Sequence, residues 1–286
     1  MKNTITNLYN GDCITVMKQL ISEGVQVDCI ITDLPYGTTP CSWDIIIPFD
    51  EMWECINKII KPNGAILLFG QEPFSSLLRS SNIKNYKYDW YWKKERLTNV
   101  FQVKRRPGKV IENISVFYKK QPIYNPQKTK YDGPPRGNKI GDGGFSITQT
   151  GGGNTKPIQY VDDGTRYPLQ IVEFNRDSMY DEKYHPTQKP IELLEYLIKT
   201  YTNEGETVLD FTMGSGSTGV ACNNTNRNFI GIELNKEYFD IANNITAEIR
   251  AYETALKHAD TPEEKEALDI YDFVDSRLTV IFSSSS

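Results

Sequence analysis

The sequence predicts an α/β fold in which a mostly parallel sheet carries helices on both faces. Short apolar runs alternate along the chain with segments whose apolar residues recur at helical spacing, and this alternation is typical of buried parallel strands. The length of 286 residues fits one large domain or two smaller ones. Apolar residues make up 38% and charged residues 24%, which excludes a disordered or collagen-like chain.

The first third of the chain contains two predicted strands with a helix between them. Residues 27–33 (VDCIITD) form an apolar run that ends in a carboxylate, and residues 65–69 form a second apolar run. Residues 49–60 place apolar side chains on one helical face, and Pro62 and Gly64 end that helix. This order is that of a strand–helix–strand unit.

The middle of the chain departs from this pattern. Residues 86–94 and 113–120 are predicted strands that leave the core for a basic region. Residues 121–184 are rich in Gly, Pro, Asn and Asp, and few of their segments could bury an apolar face. We therefore expect an inserted, loop-rich lobe there.

Regular structure returns after this lobe. Pro190 is predicted as the first residue of a helix, and residues 207–211 and 229–233 as two buried strands. An apolar stripe over residues 238–256 predicts a long helix. A second helix with a capping box is predicted from Thr261, followed by a disordered serine tail.

Charge is segregated along the chain. The net charge is −5, but residues 84–139 contain 15 Lys and Arg against four Asp and Glu, so that the remainder is strongly acidic. A basic segment in an acidic chain is typical of a groove for a polyanion. Charge alone favours this interpretation and a solvated surface about equally.

Metal sites and membrane spans are not indicated. Five widely spaced cysteines and two histidines give no zinc-binding pattern, so we expect a reduced chain that binds no metal. No apolar run reaches the roughly 18 residues of a membrane span, and the polar N-terminal segment does not resemble a signal peptide. These features predict a cytoplasmic protein.

A glycine-rich turn follows the predicted strand of residues 207–211. The run DFTMGSGSTG, from Asp210, contains Gly-x-Gly-x-x-Gly, whose glycines allow a tight turn and close approach of a nucleotide-like ligand. Glu233 ends the next strand, 23 residues after Asp210, where an acid can bind both ribose hydroxyls. A plain strand-to-helix turn is the alternative.

The charge beside this turn discriminates between ligands. Asp210 stands four residues before Gly214 and would repel the pyrophosphate of NAD. A carboxylate suits a cationic ligand instead, and S-adenosylmethionine carries an ammonium, a sulfonium and a ribose without any phosphate. The turn therefore favours this methyl donor.

A second turn, Asp33-Leu34-Pro35-Tyr36-Gly37, follows the first predicted strand. The exocyclic amine of a base is a poor nucleophile because its lone pair is delocalised into the ring. A carboxylate that accepts its N–H, with a backbone carbonyl held by a rigid proline turn, returns electron density to the nitrogen and takes the excess proton. An adjacent aromatic ring can stack on a base swung out of a duplex.

The two turns, in this order and with residues 185–190 (HPTQKP) before the second, resemble the amino-group DNA methyltransferases. This family methylates N6 of adenine or N4 of cytosine, and the order of motifs resembles that of its beta group. The resemblance spans about residues 5–250 and implies a Rossmann-like methyltransferase fold dependent on S-adenosylmethionine. It implies a catalytic part at residues 1–120, a target-recognition lobe at 121–184, a cofactor-binding part at 185–260, and a C-terminal helix and tail at 261–286.

The resemblance implies a role for each motif residue. Asp33, Leu34, Pro35 and Tyr36 would form the catalytic turn, in which Leu34 replaces the family's usual second proline and acts through its carbonyl. The residues expected to bind S-adenosylmethionine are Gly11, Asp12, Thr187, Lys189, Asp210, Gly214, Gly216, Ser217 and Glu233.

Separate parts of the donor are assigned within this set. Gly11 and Asp12 would face its adenine, Glu233 its ribose, and Thr187 and Lys189 the carboxylate of its methionine. The usual Asp-Pro-Phe form appears here as Asp-Phe-Thr from Asp210, which keeps the acid and the glycines.

Basic residues mixed with aromatic residues lie in and after the predicted strand 86–94. The residues predicted to contact DNA are Lys93, Lys94, Arg96, Lys104, Arg105 and Arg106, with Lys109 and Glu112 as weaker candidates. A half-buried strand with one solvated face is the alternative interpretation.

The sequence thus predicts an enzyme that flips one base of double-stranded DNA and methylates its amino nitrogen, without metal. Adenine N6 is favoured because Asp-x-Pro-Tyr is commoner among adenine enzymes, and cytosine N4 is the alternative. A catalytically silent DNA-binding protein and an NAD-dependent oxidoreductase are alternatives of other classes. The resemblance also allows a homodimer and a separately acting restriction endonuclease as partners, in a bacterial or phage-infected cell.

One short motif of the chain resembles a motif of the cytosine carbon-5 methyltransferases. Cys41 follows a proline, as does the thiolate nucleophile of those enzymes. Their cofactor turn comes first in the chain, whereas here it comes last. We therefore expect Cys41 to be structural.

Overall fold

A computed structural model describes residues 4–37, 44–133, 163–175 and 189–258 of the chain. The described residues divide into two compact units, one drawn from residues 4–125 and 170–258 and the other from residues 126–133 and 163–169. No helix in the described ranges is both long and apolar enough to cross a membrane.

The first unit is built on an eight-stranded sheet with the order β1-β10-β9-β2-β3-β5-β4-β8. Its strands are β1 (Thr6–Asn10), β2 (Val27–Asp33), β3 (Ile60–Gly70), β4 (Tyr86–Lys93), β5 (Ile111–Phe117), β8 (Ile171–Glu173), β9 (Thr207–Asp210) and β10 (Asn228–Glu233). Every pair of neighbours is parallel except the two that involve β5, which is antiparallel to both β3 and β4. The mostly parallel sheet is therefore confirmed.

Helices cover both faces of this sheet, as predicted. They are α1 (Cys13–Ser22), α2 (Phe49–Ile59), α3 (Phe74–Ser81), α4 (Ile191–Tyr201), α5 (Ser217–Asn224) and α6 (Lys236–His258). The first three pack with alternate strand residues such as Ile30 into one core, and the last three pack with residues such as Ile31 into the other. This division arises because successive side chains along β2 point to opposite faces of the sheet.

Three elements that precede β4 have no counterpart in the sequence prediction: β1, α1 and α3. The strand β1 is only half buried, so it lacks the apolar run that marked the other strands. In α1 the side chain of Asp12 caps the first turn by accepting the N–H of Thr15 at 2.9 Å.

The expectation that β4 and β5 leave the core is wrong. Both strands pair into the main sheet, and β5 joins β4 to β3. Trp90 and Trp92 are buried, and the indole N–H of Trp90 donates to the hydroxyl of Tyr201 on α4 at 2.7 Å. Alternating apolar residues decided the position of these strands, because burial of two indole rings outweighs the exposure that their basic neighbours suggested.

The second unit contains a small antiparallel pair, β6 (Thr129–Lys130) and β7 (Thr165–Arg166). It is shorter than the predicted lobe of residues 121–184, because β8 pairs with β4 and belongs to the first unit. The helix predicted from Thr261 and the serine tail lie outside the described residues.

Candidate active site

One edge of the sheet gathers the ends of the strands that carry the predicted motifs. The parallel strands β2, β3, β9 and β10 all end there. Because β5 runs in the opposite direction, its first residues lie at the same edge, where Gly70 at the end of β3 pairs with Asn113. In parallel α/β sheets, ligands bind beyond the carboxyl ends of the strands.

A cavity of about 570 Å³ opens at this edge. Its volume lies within the range of about 300–1,000 Å³ that is common for ligand pockets. One part of its lining comes from the two predicted turns, and another part comes from β4 and β5. The lining residues that matter below are Gly11, Asp12, Asp33, Leu34, Pro35, Tyr36, Lys94, Glu112, Lys189, Asp210, Gly214, Ser217 and Glu233.

The catalytic turn begins where β2 ends, at Asp33. The side chain of Leu34 is buried in the core, which leaves its backbone as the part that can face a ligand. Gly37 adopts a φ of +66°, and its N–H donates to the buried carboxylate of Asp44 at 2.8 Å. Asp44 therefore fixes the far end of the turn.

Asp33 is held by two donors. The hydroxyl of Tyr36 donates to one carboxylate oxygen, and the ammonium of Lys189 donates to the other. The ring of Tyr36 packs 5.1 Å from the ring of Phe74, measured between centroids. Tyr36, whose ring is expected from the sequence to stack on a base, thus also donates a hydrogen bond to the carboxylate of Asp33.

Glu112 is a second buried carboxylate beside Asp33. It sits near the start of β5, and its side chain is only 2% exposed. Lys189 lies 3.1 Å from its Oε1, and Lys94, from the end of β4, pairs with its Oε2. Asp33, Glu112, Lys94 and Lys189 therefore form a cluster of two anions and two cations, which satisfies the requirement that buried charges be paired.

Burial and charge set the pKa values in this cluster in opposite directions. Burial raises the pKa of Asp33, with the nearby charge of Glu112 adding to the rise and Lys189 opposing it. Burial also acts to raise the pKa of Glu112, but the ammonium groups of Lys189 and Lys94 outweigh it and hold that pKa at about 2. The more accessible carboxylate, Asp33, is therefore the more basic of the two.

The glycine-rich turn lies between β9 and α5. Gly214 and Gly216 have φ values of +57° and +90°, which L side chains rarely adopt. A Cβ at Gly214 would meet nothing within 4 Å, so a ligand can approach the backbone there. Ser217 begins α5 directly after the turn and lines the cavity.

Asp210 is buried at the end of β9 and accepts three hydrogen bonds. Oδ1 accepts the hydroxyl of Thr32 at 2.6 Å and the N–H of Thr212 at 3.1 Å, and Oδ2 accepts the hydroxyl of Thr218 at 2.6 Å. Burial raises the pKa of Asp210 to about 6, even though these donors favour the ionised form. A cationic ligand at this end of the cavity would favour the charged carboxylate.

Two threonines connect the catalytic turn to the glycine-rich turn. The hydroxyls of Thr32 and Thr212 lie 2.6 Å apart, and the Thr212 hydroxyl donates to the backbone carbonyl of Asp33 at 2.9 Å. Thr212 is the position where the chain departs from the usual Asp-Pro-Phe form. The departure thus adds a direct hydrogen bond between the two turns.

Glu233 and the Gly11–Asp12 pair line the cavity beyond the glycine-rich turn. The carboxylate of Glu233 accepts the N–H groups of Gly214 at 2.9 Å and Asn235 at 2.7 Å. Gly11 donates its N–H to the Glu233 carbonyl at 3.0 Å. The structure thus brings these predicted ligand-binding residues together, although Asp12 also caps α1.

Two residues with predicted ligand contacts are paired with buried carboxylates in the structure. Lys189, expected at the carboxylate of the methyl donor, is paired with Asp33 and Glu112. Lys94, expected on DNA, has a side chain that is 10% exposed and is paired with Glu112. The reason is the same for both, because buried carboxylates attract the nearest ammonium groups. Thr187 lies outside the described residues, as does Cys41.

The other basic residues predicted to contact DNA are exposed. Lys93 pairs with Glu173 at 2.9 Å on the surface. Arg96, Lys104, Arg105 and Arg106 lie on the segment that joins β4 to β5, hereafter the β4–β5 loop (residues 94–110). Phe101 in this loop is fully exposed. Lys94 lines the cavity, and Lys109 donates at 2.6 Å to the side chain of Gln71, which also lines it.

Sequence reasoning gave Glu112 only a weak role and missed Thr32, Thr212 and Asp44. A signal for Glu112 was present, because it is the single charged residue in the strand IENISVF, in which four of the other six residues are apolar. A charge inside an apolar strand indicates a buried ion pair or a site. No local pattern marks the threonines, whose partners lie on other strands.

Comparisons with known proteins agree with these motifs. A model of a DNA methylase family matches residues 27–244. The chain is 27% identical over 262 residues to the type II methyltransferase M.HpaI of Haemophilus parainfluenzae, covering 82% of this chain and 72% of that protein. It is 26% identical over 275 residues to the DNA adenine methyltransferase YhdJ of Escherichia coli K12, covering 86% of each.

Solved structures resemble the fold. The crystal structure of an M1.HpyAVI–SAM complex aligns with a TM-score of 0.55 and 26% identity, covering 84% of this chain and 99% of that one. The PvuII DNA methyltransferase, described as cytosine-N4-specific, aligns with a TM-score of 0.58 over 96% of this chain and 93% of that one. Its 15% identity makes this a likeness of fold alone.

Proposed function

The chain belongs to the DNA methylase family, and we propose that it transfers a methyl group from S-adenosylmethionine to the N6 amino group of a flipped adenine in double-stranded DNA. The observation that carries this proposal is the cavity at the sheet edge, where Asp33 of the catalytic turn and Asp210 of the glycine-rich turn line one space. Thr212 joins the two turns by donating to the carbonyl of Asp33 at 2.9 Å.

The donor set around the glycine-rich turn fits S-adenosylmethionine. The backbone at Gly214 is open, Glu233 supplies a carboxylate for ribose hydroxyls, and buried Asp210 suits a cationic ligand better than a pyrophosphate. A relative of similar length was solved as a SAM complex. When bound, S-adenosylmethionine supplies an electrophilic methyl group, and the chain's residues hold and orient it.

The catalytic turn would prepare the amine to react. Asp33, the more basic of the two buried carboxylates, would accept an amine N–H and take the excess proton as the nitrogen becomes positive. The carbonyl of Leu34 would accept the second N–H, and the ring of Tyr36 would support the base. No covalent intermediate with the protein is needed.

Two observations favour adenine as the base that is modified. The Asp-x-Pro-Tyr form of the catalytic turn, read from Asp33 to Tyr36, favours adenine, and the name of YhdJ supports the same choice. Cytosine N4 is the second candidate, which the fold of the PvuII enzyme accommodates.

DNA would reach this site along the basic β4–β5 loop. Its exposed cations suit phosphates, and fully exposed Phe101 suits stacking on a base. The second unit, with the residues of the predicted lobe, would read the target sequence. The proposal includes a cytoplasmic location. It also includes a role in restriction–modification beside a separately acting endonuclease, which the type II relatives support. A homodimer is a further part, taken from the family resemblance alone.

Asp33→Ala provides the test of the catalytic assignment. Tritium transfer from labelled S-adenosylmethionine to DNA from a methylation-free strain should fall by about a hundredfold or more, since the general base is lost. Binding of the donor, measured by calorimetry, should be retained. The control is Asp50→Ala, which removes an exposed carboxylate from α2 and should leave transfer unchanged.

The product and the ligands separate the alternatives. Mass spectrometry of the digested DNA identifies N6-methyladenine or N4-methylcytosine directly. Donor binding without transfer to any DNA would favour a silent DNA-binding protein. Tight binding of NAD without binding of S-adenosylmethionine would instead favour an oxidoreductase.

A further inference from the structure

The two donors that hold Asp33 share a second acceptor. The ammonium of Lys189 lies 3.1 Å from Glu112 Oε1, and the hydroxyl of Tyr36 lies 3.3 Å from the same oxygen. Both groups donate to Asp33 as well. Glu112 Oε1 is therefore a common alternative partner for every donor recorded on the Asp33 carboxylate.

The rest of Glu112 is arranged to keep that oxygen available as an acceptor. Its other oxygen, Oε2, pairs with Lys94 and lies 3.5 Å from the Gln71 amide. Lys94 also lies 4.7 Å from the ring of Trp92, which confines its ammonium. Because Glu112 is 2% exposed while Asp33 is 26% exposed, Asp33 is the carboxylate more accessible to a ligand.

This arrangement poses a conflict for the proposed reaction. A target amine must donate to Asp33, and each oxygen of that carboxylate accepts one hydrogen bond from the protein and can accept a second. The ammonium of Lys189 on Asp33 makes the carboxylate a weaker base, since it favours the ionised form. Proton transfer from the amine is therefore favoured when Lys189 has left Asp33.

We propose that Glu112, held by Lys94, is a positioning residue that accepts Lys189 and Tyr36 when Asp33 binds the target amine. Lys189 already pairs with both carboxylates, so it gives up its ion pair with Asp33 and keeps the one with Glu112. After the exchange, Asp33 accepts only the N–H of the target amine. The ammonium of Lys189 is then farther from the amine nitrogen, which becomes positive during transfer. This inference rests on the proposed function, since it concerns the same amine.

The first test is Glu112→Gln, measured as the single-turnover rate of methyl transfer with enzyme, donor and DNA already mixed to saturation. The amide is a weaker acceptor than the carboxylate for an ammonium, so Lys189 should remain on Asp33. We expect transfer to slow by about tenfold or more, while the dissociation constants for donor and DNA stay within about twofold of wild type. Transfer at the wild-type rate would overturn the inference.

A double variant separates the acceptor role from charge balance. Lys94→Met with Glu112→Met removes one buried cation and one buried anion together, which often leaves stability unchanged. If Glu112 only balances charge, this double variant should transfer at the wild-type rate, and the inference would be wrong. If Glu112 accepts the displaced donors, the double variant should be as slow as Glu112→Gln.

The pH profile reports the charge around Asp33. Asp33 is faced by Lys189, Glu112 and Tyr36, and the charge of Glu112 raises its pKa while Lys189 lowers it. Glu112→Gln should therefore move the acid limb of the transfer rate to lower pH. A slow variant whose acid limb does not move would contradict the inference.

Wild-type protein must be measured alongside these variants. If it transfers no methyl group to any DNA, the proposed function fails and the inference falls with it. If wild type transfers and the variants match it, only the inference fails.

Discussion

Asp210 shows how burial gives one carboxylate two properties. Its three hydrogen bonds fix the glycine-rich turn, while loss of solvent raises its pKa to about 6. The folded protein therefore binds a proton more tightly than the unfolded chain, in which an aspartate has a pKa of about 3.9. The ionised form is a cost to the fold that a cationic ligand would offset.

This cost predicts a pH-dependent stability. Because the pKa is raised in the folded state, the contribution of Asp210 is fully present below pH 4 and is lost as pH rises toward 6. Asp210→Asn should remove this loss, which amounts to about 3 kcal/mol at 1.36 kcal/mol per pKa unit. Urea unfolding between pH 4 and pH 7 measures it, with exposed Asp50→Asn as the control. Parallel pH curves for wild type and Asp210→Asn would contradict the prediction.

Gly216 is the residue at which the turn tolerates no side chain. Its φ is +90°, and a Cβ would lie 2.9 Å from the Cβ of Ala242 on α6. Gly216→Ala should lower the free energy of unfolding by about 1–3 kcal/mol and weaken donor binding, because both backbone strain and a clash are introduced. Chemical denaturation and calorimetry measure the two effects.

Gly205→Ala is the matched control for this variant. Its φ is +81°, but a Cβ there would meet nothing within 4 Å. It should show the backbone cost alone and leave donor binding intact. Equal losses in both variants would show that the contact with Ala242 has no role.

Among the elements, the β4–β5 loop and its flanking strands differ most from the sequence prediction. The strands that flank it are core strands, and the aromatic residues Trp90 and Trp92 are buried in them. The loop itself carries the exposed cations and Phe101. The stretch in which aromatic and basic residues alternate in the sequence therefore contains two different structures, a buried strand and an exposed loop.

The salt dependence of DNA binding tests the loop. Single variants Lys104→Ala, Arg105→Ala and Arg106→Ala should each weaken binding and reduce the slope of log K against log salt by about 0.9 for each phosphate contact removed. Lys84→Ala is the control, because Lys84 precedes β4 and lies at the opposite edge of the sheet from the loop. Unchanged slopes in the three loop variants would remove the loop from the DNA path.

Considering the molecule as a whole, the proposed ligand site lies within the first unit. All described residues that line the cavity belong to that unit. A ligand bound there is linked to folding of the entire sheet, since binding to the folded state alone stabilises it.

Thermal unfolding tests this linkage and the choice of cofactor. S-adenosylmethionine at a hundredfold excess over its dissociation constant should stabilise the fold by about 2.7 kcal/mol, which raises Tm by several degrees for a chain of this size. NAD at the same concentration should leave Tm unchanged. A larger rise with NAD than with S-adenosylmethionine would contradict the assignment of the glycine-rich turn.

The fold was predictable wherever burial leaves a local pattern. Apolar runs marked β2, β3, β9 and β10, and helical spacing marked α2, α4 and α6. Half-buried β1 left no such pattern, and the basic residues beside β4 and β5 concealed two core strands. Those errors arise because the position of a strand in a sheet depends on its neighbours and not on its own composition.

Local sequence was enough to predict the position of the two turns, because proline or glycine close to a strand-ending acid restricts the backbone there. Asp33 and Asp210 were identified in this way, and both line the cavity. Which charges meet depends instead on the packing of distant strands. Glu112 reaches Asp33 because β5 runs antiparallel and brings its first residues to the edge where β2 ends, and the low dielectric there draws Lys94 and Lys189 inward as counter-ions.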